Sequence, residues 1–378
     1  MHVVMLSSQR AFYGGEVHLL DLALGLRRRG HRVSCVVRPG SQLADRLEES
    51  GLEVHRLRLR DWYEPTSLLQ LTHLLASLGP DVLHSHTPRD YYLAATATVA
   101  LPVRNVGTRH QLHPITVPRV KKPFLRRFDA MIAVSEAVRD GLIASGLETT
   151  RLVTIPNGVA WPGREPEPRV LRRELGISDA PGPVVGCVGR LCPTKGLDTL
   201  FWAATLLRGR WPGLRLVLVG TDTRGGSYGD ELRRLARDLR ISVTFCGYRS
   251  RAARLMRAFD MLVVPSRAEP FGLVTLEALA RGVPVVATRS GGSREIVRDG
   301  CEGLLVPPAD PEALAAAISL MLADHALHAR CVREGPRRVA EAFTIERQVA
   351  STEKVYGLVI EGAPLPSRLH ASQRRAEA

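Results

Sequence analysis

The chain has 378 residues, and its 52 Lys and Arg against 38 Asp and Glu leave a formal net charge of +14. At about 100 to 200 residues per domain, this length predicts two domains. A hydrophobic content of 45% with 24% charged residues excludes intrinsically disordered, collagen-like and disulfide-scaffold proteins.

The sequence contains no candidate membrane span and no recognisable secretory signal. Its longest weakly polar stretch, residues 93–103, is about half of the roughly 20 residues that a transmembrane helix needs. Residues 1–8 form an apolar run without the charged region or cleavage site of a signal peptide. The six cysteines are scattered without a C-x-x-C pair, which indicates reduced thiols. We therefore expect a cytoplasmic protein.

Runs of β-branched residues alternate with amphipathic helical stretches, which is typical of parallel sheets crossed by helices. Residues 2–7 predict a strand, Gly14 and Gly15 a turn, and residues 16–29 a helix that ends at Gly30. Further strands are predicted in chain order at 31–37, 80–84, 105–108, 130–134 and 151–155. These elements predict one Rossmann-like domain.

A proline-rich and charged segment, residues 161–182, predicts a linker. A second series of strands follows at 184–188, 214–219, 243–246, 261–264, 283–287 and 303–306. We predict an α/β protein with two Rossmann-like domains, residues 1–160 and 183–340, whose parallel sheets face a deep interdomain cleft. Residues 341–360 predict a C-terminal helix that could pack back on the N-terminal domain, and residues 361–378 predict a disordered tail.

Four segments of the second half combine glycine with charged residues directly after predicted strands. They are Gly189-Arg190-Leu191 with Lys195-Gly196, Val219-Gly220, Glu269-Pro270-Phe271-Gly272-Leu273 with Glu277, and Gly291-Gly292 with Glu295. Arg190 and Lys195 flank one turn, so both cations can approach a diphosphate. Because the sequence has no D-x-D pair, no obvious carboxylate pair is present to hold a divalent cation there.

This arrangement resembles the retaining nucleotide-sugar glycosyltransferases of the GT-B fold, specifically the bacterial group 1 family (family 4). It is similar to lipopolysaccharide-core and other envelope glycosyltransferases, and the resemblance covers residues 1 to about 358. The resemblance implies that Arg190 and Lys195 bind the donor diphosphate and stabilise the leaving group without a metal. The resemblance also implies a UDP-sugar or a GDP-sugar as the donor substrate, and no cofactor.

The string from Glu269 to Glu277 is the most specific part of the resemblance, an E-x7-E pattern. A loop followed by a helix from about Val274 is expected to aim backbone N–H groups at a phosphate. The resemblance implies that Glu269 contacts hydroxyls of the donor sugar and acts in catalysis, and that Glu277 binds the ribose. The predicted donor site is completed by Phe271, Gly272, Leu273 and Val274.

In the first half, Gly14-Gly15-Glu16 follows the first strand and does not match a dinucleotide fingerprint. The resemblance implies that Gly15 lies against the donor phosphates and that Glu16 contacts the acceptor. Taken alone, the two glycines predict only a turn.

Histidines follow two other predicted strands, in Asp81-Val-Leu-His84-Ser-His86 and in Thr108-Arg109-His110. The resemblance implies a catalytic role for His110, because a neutral imidazole could orient the acceptor hydroxyl. His86 and Arg109 are the further predicted acceptor contacts. A histidine with a purely structural hydrogen bond is the alternative for His110 and more so for His84, and His113 is a nearby competitor.

Residues 115–128 form a basic segment without an acidic residue. It contains Arg119, Lys121, Lys122, Arg126 and Arg127, interleaved with Val117, Val120, Phe124, Leu125 and Phe128. This pattern indicates a contact with an anionic inner-leaflet membrane surface, as in the resembling envelope enzymes. A phosphorylated acceptor or a solvated basic face is the alternative.

These observations predict a retaining, metal-independent hexosyltransferase that moves sugar from a nucleoside-diphosphate sugar to a glycan or glycolipid acceptor. We expect it to act in cell-envelope polysaccharide or lipopolysaccharide biosynthesis, free in the cytoplasm or peripheral on the membrane's inner face, without a nucleic-acid partner. One alternative is a non-hydrolysing nucleotide-sugar 2-epimerase, which would need further acid and base carboxylates. The other is a non-enzymatic basic binding protein with a degenerate nucleotide cleft, which would leave Glu269 and Glu277 unexplained.

Overall fold

The chain folds into two α/β units, each built around a parallel sheet. The first unit comprises Met1–Gly158 together with the segment that starts at Ile345, and the second comprises Val159–Thr344. The computed structural model describes residues 1–60, 64–113, 115, 122–177, 182–222 and 225–369, with the backbone alone at residues 122 and 123.

Among the described residues, the first sheet contains seven parallel strands in the order β3-β2-β1-β4-β5-β6-β7. In chain order they are β1 His2–Ser7, β2 Arg32–Val37, β3 Glu53–Arg56, β4 Val82–Ser85, β5 Arg104–Arg109, β6 Ala130–Ala133 and β7 Leu152–Thr154. Four consecutive residues of β1, from Val3 to Leu6, are fully buried, because helices cover both faces of a parallel sheet. Continuous apolar runs, and not alternation, are therefore the signal for these strands.

The helices that connect these strands are α1 Gly14–Arg28, α2 Gln42–Glu49, α3 Pro65–Leu78, α4 Pro88–Ala97, α5 Lys122–Leu125 and α6 Glu136–Ala144. Two of these helices begin directly after a serine whose side chain caps the first turn. Ser41 accepts the N–H of Ala44 at the start of α2, and Ser135 accepts the N–H of Val138 at the start of α6. Such caps satisfy N–H groups that have no partner inside the helix.

Within the described part of the second unit, six parallel strands follow the order β10-β9-β8-β11-β12-β13. They are β8 Val184–Val188, β9 Arg215–Val219, β10 Val243–Phe245, β11 Met261–Val264, β12 Val285–Thr288 and β13 Gly303–Val306. The helices of this unit are α7 Pro168–Glu174, α8 Leu197–Leu207, α9 Ser227–Asp238, α10 Ala252–Leu255, α11 Leu273–Leu279, α12 Ser293–Ile296, α13 Pro311–Ala323 and α14 His325–Ala342. The two parallel sheets agree with the fold class predicted from the sequence.

The last helix, α15 (Ile345–Glu361), returns to the first unit. Its residue Val349 lies directly over Gly25 of α1, where an added Cβ would come within 2.4 Å of a Val349 methyl group. Tyr356, which is fully buried, brings its hydroxyl to 2.6 Å from Nδ1 of His84. The helix thus contributes both to the apolar core and to the polar interior of this unit.

Two segments are more structured than the sequence predicts. The predicted linker, residues 161–182, contains α7, whose Leu171 is fully buried and whose Arg172 donates to both carboxylate oxygens of Asp260 at 3.0 and 3.1 Å. The predicted disordered tail, residues 361–378, is packed as far as Leu369, because this buried leucine joins the core of the first unit and donates its N–H to Thr154. Residues 370–378 lie outside the described residues.

Among the helices that the structure describes, none has the length and apolar character needed to cross a membrane.

Candidate active site

In each sheet, two neighbouring strands are followed by connections that run in opposite directions along the sheet. In the second sheet β8 lies beside β11, and the chain continues from β8 toward β9 on one side and from β11 toward β12 on the other. In the first sheet β1 lies beside β4 with the same divergence. Open parallel sheets bind ligands at such switch points, beyond the carboxyl ends of the strands. The segments that follow these four strands are therefore the candidates for a site.

An ion pair joins the segments that follow β8 and β11. Nζ of Lys195 lies 2.6 Å from Oε2 of Glu269, which also accepts a hydrogen bond from the Ser266 hydroxyl at 2.8 Å. The Lys195 and Glu269 side chains are only 20% and 9% exposed, so solvent screens the pair weakly. Both contacts use Oε2, which leaves Oε1 to accept a hydrogen bond from a ligand hydroxyl. The sequence predicts both charged residues as site residues, but not their contact.

Gly196 makes the approach of these two segments possible. It has a left-handed φ of 64°, and a Cβ at this position would lie 2.1 Å from the carbonyl oxygen of Pro265. Nearby, Arg267 donates its N–H to Thr194 at 2.8 Å and its guanidinium to Asp198 at 2.6 and 2.9 Å. These contacts hold the Lys195 segment against the Glu269 segment.

Arg190 and Lys195 line one small cavity of the second unit, together with Cys187, Ser266 and Val274. Arg190 is exposed, whereas burial raises the pKa of the Cys187 thiol to about 12. The thiol therefore remains protonated at neutral pH and supplies no nucleophile. The structure thus brings both predicted cations to the same cavity, where they can bind an anion.

The predicted donor residues after Glu269 differ in what they offer to a ligand. Phe271 is 3% exposed and packs edge-on against Phe343, so its side chain belongs to the core and its main chain alone remains for a ligand. Gly272 has a φ of 114° and precedes α11. The helix begins with two half-buried residues, Leu273 and Val274.

Glu277 lies within α11, half-buried, one turn after the helix begins. Its carbonyl oxygen accepts a hydrogen bond from the Arg281 guanidinium at 2.9 Å. The helix therefore holds Glu277 at a fixed distance from the Glu269 segment, as the E-x7-E spacing predicts.

The Gly291-Gly292 turn packs against the Glu269 segment. The N–H of Gly292 donates to the carbonyl oxygen of Glu269 at 3.0 Å, and a Cβ on Gly292 would lie 2.6 Å from Cα of Phe271. Only glycine permits this distance between the two backbones. Two motifs that lie apart in the sequence thus form one structural element after β11 and β12.

At the switch point of the first sheet, Gly15 lies in the first turn of α1 and faces a histidine that follows β5. The ring of His110 lies 3.5 Å from the position that a Cβ on Gly15 would take. Glu16 is buried, and its carboxylate accepts the N–H of Tyr13 at 3.0 Å, which caps the start of α1. The predicted acceptor residue Glu16 therefore has a structural contact of its own.

Three histidine rings meet at this switch point. His18 of α1 lies with its ring centroid 4.7 Å from His110 and 5.6 Å from His86, which follows β4. Burial lowers the pKa of His18 to about 4, and burial together with neighbouring histidines lowers the pKa values of His86 and His110 well below 6.5. All three imidazoles are therefore neutral at pH 7.

Sequence reasoning identified His86 and His110 but missed His18. The available signal was its position three residues after Gly15, which places both residues on the same face of α1. That spacing alone does not distinguish a site histidine from one buried in the core.

His84 has a structural environment. Its ring nitrogens lie 2.6 Å from the Tyr356 hydroxyl and 2.7 Å from the Thr108 hydroxyl, so both are occupied. The buried Arg109 donates to the carbonyl oxygen of His113 at 2.6 Å, and burial lowers its pKa. His84 therefore lies next to the cluster of His18, His86 and His110 but has no nitrogen available to it, and His113 is exposed.

The basic segment is described only in part. Arg119 and Lys121 lie outside the described residues, as does the side chain of Lys122. Arg126 and Arg127 are exposed, whereas Leu125 and Phe128 are 6% and 1% exposed. Leu125 and Phe128 therefore pack in the interior of the first unit and are not available to a membrane surface.

Comparison with known proteins matches both halves of the chain. Residues 12–160 match the family model described as Glycosyltransferase Family 4, and residues 182–324 match the one described as Glycosyl transferases group 1. The chain is similar to the lipopolysaccharide core biosynthesis glycosyltransferase LpsE of Rhizobium meliloti strain 1021, with 30% identity over 88% of this chain and 92% of the relative.

A second relative is the GDP-mannose-dependent alpha-(1-6)-phosphatidylinositol monomannoside mannosyltransferase of Mycolicibacterium smegmatis. It is 32% identical over 82% of this chain and 86% of the relative. Among solved structures, the chain is similar to Anabaena HepE in complex with UDP-glucose, with a TM-score of 0.84, 26% identity, and coverage of 94% of this chain and 99% of HepE.

Proposed function

Since the chain belongs to the bacterial group 1 glycosyltransferases and has the GT-B fold, we propose that it transfers a hexose from a nucleoside-diphosphate sugar to an acceptor hydroxyl, with retention of configuration. The observation that carries this proposal is the shielded pair of Lys195 and Glu269 at the switch point of the second sheet. Family membership favours transfer over the epimerase and over the non-enzymatic binding protein.

In this proposal the second unit binds the donor. Arg190 and Lys195 line one cavity and supply two cations to the diphosphate, the guanidinium as a fork and the ammonium as a compact charge. Support for the donor class comes from HepE, whose structure contains UDP-glucose, and from the relative named as GDP-mannose-dependent. We infer a UDP-sugar or a GDP-sugar.

The transfer step is a substitution at the anomeric carbon on the face that the diphosphate leaves. The bond from this carbon to the diphosphate oxygen breaks, a bond to the acceptor oxygen forms, and the acceptor proton passes to the departing diphosphate. Lys195 and Arg190 stabilise the negative charge that develops on the leaving group. Glu269 accepts a hydrogen bond from a sugar hydroxyl through Oε1, while Lys195 and Ser266 hold Oε2. Glu277 binds the ribose.

We propose that this step needs no divalent cation. Two observations support this: the two protein cations line the same cavity, and no D-x-D carboxylate pair occurs in the sequence. The test is treatment with EDTA, which should leave the rate unchanged. A strict requirement for added Mg²⁺ or Mn²⁺ would contradict this part of the proposal.

The first unit is proposed to bind the acceptor at its own switch point. His110 is neutral there, so that it can accept the proton of an acceptor hydroxyl in a hydrogen bond and orient its oxygen. His86 and the buried Arg109 flank the same sheet edge. The names of the relatives support an envelope glycan or glycolipid as acceptor.

The basic segment is proposed to contact an anionic membrane surface. The exposed side chains of Arg126 and Arg127 support this, and each basic group near such a surface contributes about 1 kcal/mol. Leu125 and Phe128 are buried and cannot insert into the membrane. The proposed contact of residues 125–128 is therefore electrostatic and made by the two arginines.

A thermal-shift series with UDP-glucose, UDP-galactose, GDP-mannose and the free nucleotides tests the donor assignment. A ligand at about 100 times its Kd stabilises the folded protein by about 2.7 kcal/mol. The stabilising donor is then incubated with candidate acceptors, and the anomeric configuration of the product is read by NMR. An inverted product would refute retention, and a C2 epimer formed without acceptor would select the epimerase.

A further inference from the structure

The cluster of His18, His86 and His110 has features that orientation of a hydroxyl does not require. One ring nitrogen from each histidine can be chosen such that all three lie within 4.8 Å of one another. Both nitrogens of His86 and Nε2 of His110 are buried without a hydrogen-bond partner among the described residues, whereas His18 has the Asn157 side chain beside it as a hydrogen-bond partner. Buried polar atoms in native proteins nearly always have a partner, so three such nitrogens next to a third imidazole indicate a ligand.

We propose that these three histidines form a binding site for Zn²⁺, and that its occupancy inhibits glycosyl transfer. Imidazole nitrogen is a preferred ligand of Zn²⁺, and three histidines with one open position are a common protein set for it. In a tetrahedral site with Zn–N distances of about 2.1 Å, the ligand nitrogens lie about 3.4 Å apart. The present spacing, up to 4.8 Å, is at most about 1.4 Å wider, so the rings must approach one another when the ion binds.

The surrounding residues determine which histidines can take part. His84 lies only 4.3 Å from His86 between ring centroids, but its nitrogens are held by Tyr356 and Thr108. It can therefore fix the position of the His86 ring by packing but cannot bind the ion. His110 is less buried than the other two, so an ion would reach the cluster from its side.

The inhibitory effect rests on the proposed function, whereas the binding site does not. A metal ion at this position takes the lone pairs of His86 and His110, which the proposed acceptor site uses. The ion would also lie beside Gly15, because a Cβ added to this glycine would be 3.5 Å from the His110 ring. Zn²⁺ should therefore lower the transfer rate at the concentrations at which it binds, and EDTA should restore the rate.

The site is tested by titrating the whole chain with Zn²⁺ in a calorimeter. The amount of bound metal is then measured after gel filtration. We expect one ion per chain in the unaltered protein. His18→Ala and His86→Ala should each weaken binding at least about tenfold, because even the loss of a residue that only supports a ligand has an effect of 10- to 100-fold. His73→Ala, which removes an exposed histidine of α3, should bind like the unaltered protein. Mg²⁺, which prefers oxygen ligands, should not compete.

Failure of Zn²⁺ to bind at micromolar concentration, or equal binding by the two cluster variants and the unaltered protein, would overturn the proposal. The six free cysteines are the competing ligands, and Co²⁺ distinguishes them in the unaltered protein without any substitution that could impair folding. Co²⁺ with nitrogen ligands has only weak visible bands, and a strong near-ultraviolet thiolate band would also overturn the proposal. Binding is measured without donor or acceptor, so its failure is distinguishable from failure of the proposed transfer.

Discussion

Replacement of Lys195 by alanine tests the central assignment of the donor site. The ammonium lies in a cavity shared with Arg190 and is paired with Glu269 at 2.6 Å. At an effective dielectric constant of about 20, a unit charge about 4 Å from a phosphate oxygen contributes about 4 kcal/mol. Only the part that grows as the leaving group gains charge accelerates the reaction. A loss of about 2.7 kcal/mol, or about 100-fold in turnover, is therefore the expected effect of Lys195→Ala and also of Arg190→Ala.

The assay follows release of the nucleoside diphosphate from the stabilising donor in the presence of acceptor, and reports kcat and KM separately. Lys195→Ala leaves the shielded carboxylate of Glu269 with Ser266 as its partner among the described residues, so stability should fall by about 3 kcal/mol without loss of the fold. Lys354→Ala is the matched control, because Lys354 is exposed on α15. Turnover within a few-fold of the unaltered enzyme in both cavity variants would refute the diphosphate assignment.

Three further substitutions follow from the same geometry. Glu277→Gln should mainly raise KM for the donor, whereas Glu269→Gln should mainly lower kcat, because contacts to the ribose are uniform and contacts to the sugar change in the transition state; equal effects on both constants would contradict this division. Gly196→Ala should destabilise the second unit by about 2 kcal/mol or more, and clearly more than Gly176→Ala, since both glycines have a positive φ but only Gly196 has a carbonyl in the way of a Cβ. Replacement of the five basic residues of segment 115–128 by glutamine should abolish sedimentation with anionic liposomes and leave donor binding intact; normal sedimentation would favour a phosphorylated acceptor.

The sequence was informative about strands that are buried on both faces. The prediction for residues 2–7 coincides with β1, and that for 184–188 coincides with β8. The strand β3, Glu53–Arg56, was not predicted, because it is a short edge strand that carries three polar residues and only one β-branched residue. Edge strands are half-exposed and lack the continuous apolar run that identifies a central strand.

The site was predicted residue by residue but not as a set of contacts. Lys195 and Glu269 are separated by 74 positions in the chain, and each was placed after a strand from local patterns alone. That they touch depends on β11 lying next to β8. Strand order is decided by packing of the whole sheet, and local patterns do not contain this information.

The two halves also differ in how far local patterns can lead. In the second unit the site is built largely from loops. These loops need glycine at left-handed or crowded positions, as at Gly196, and the glycines themselves can be read from the sequence. In the first unit the corresponding position is built from side chains on separate elements: His18 from a helix, and His86 and His110 from segments that follow two strands. Each histidine alone is compatible with an ordinary core position, and only their convergence indicates a ligand. A site of this second kind becomes recognisable when the fold shows which buried nitrogens lack partners.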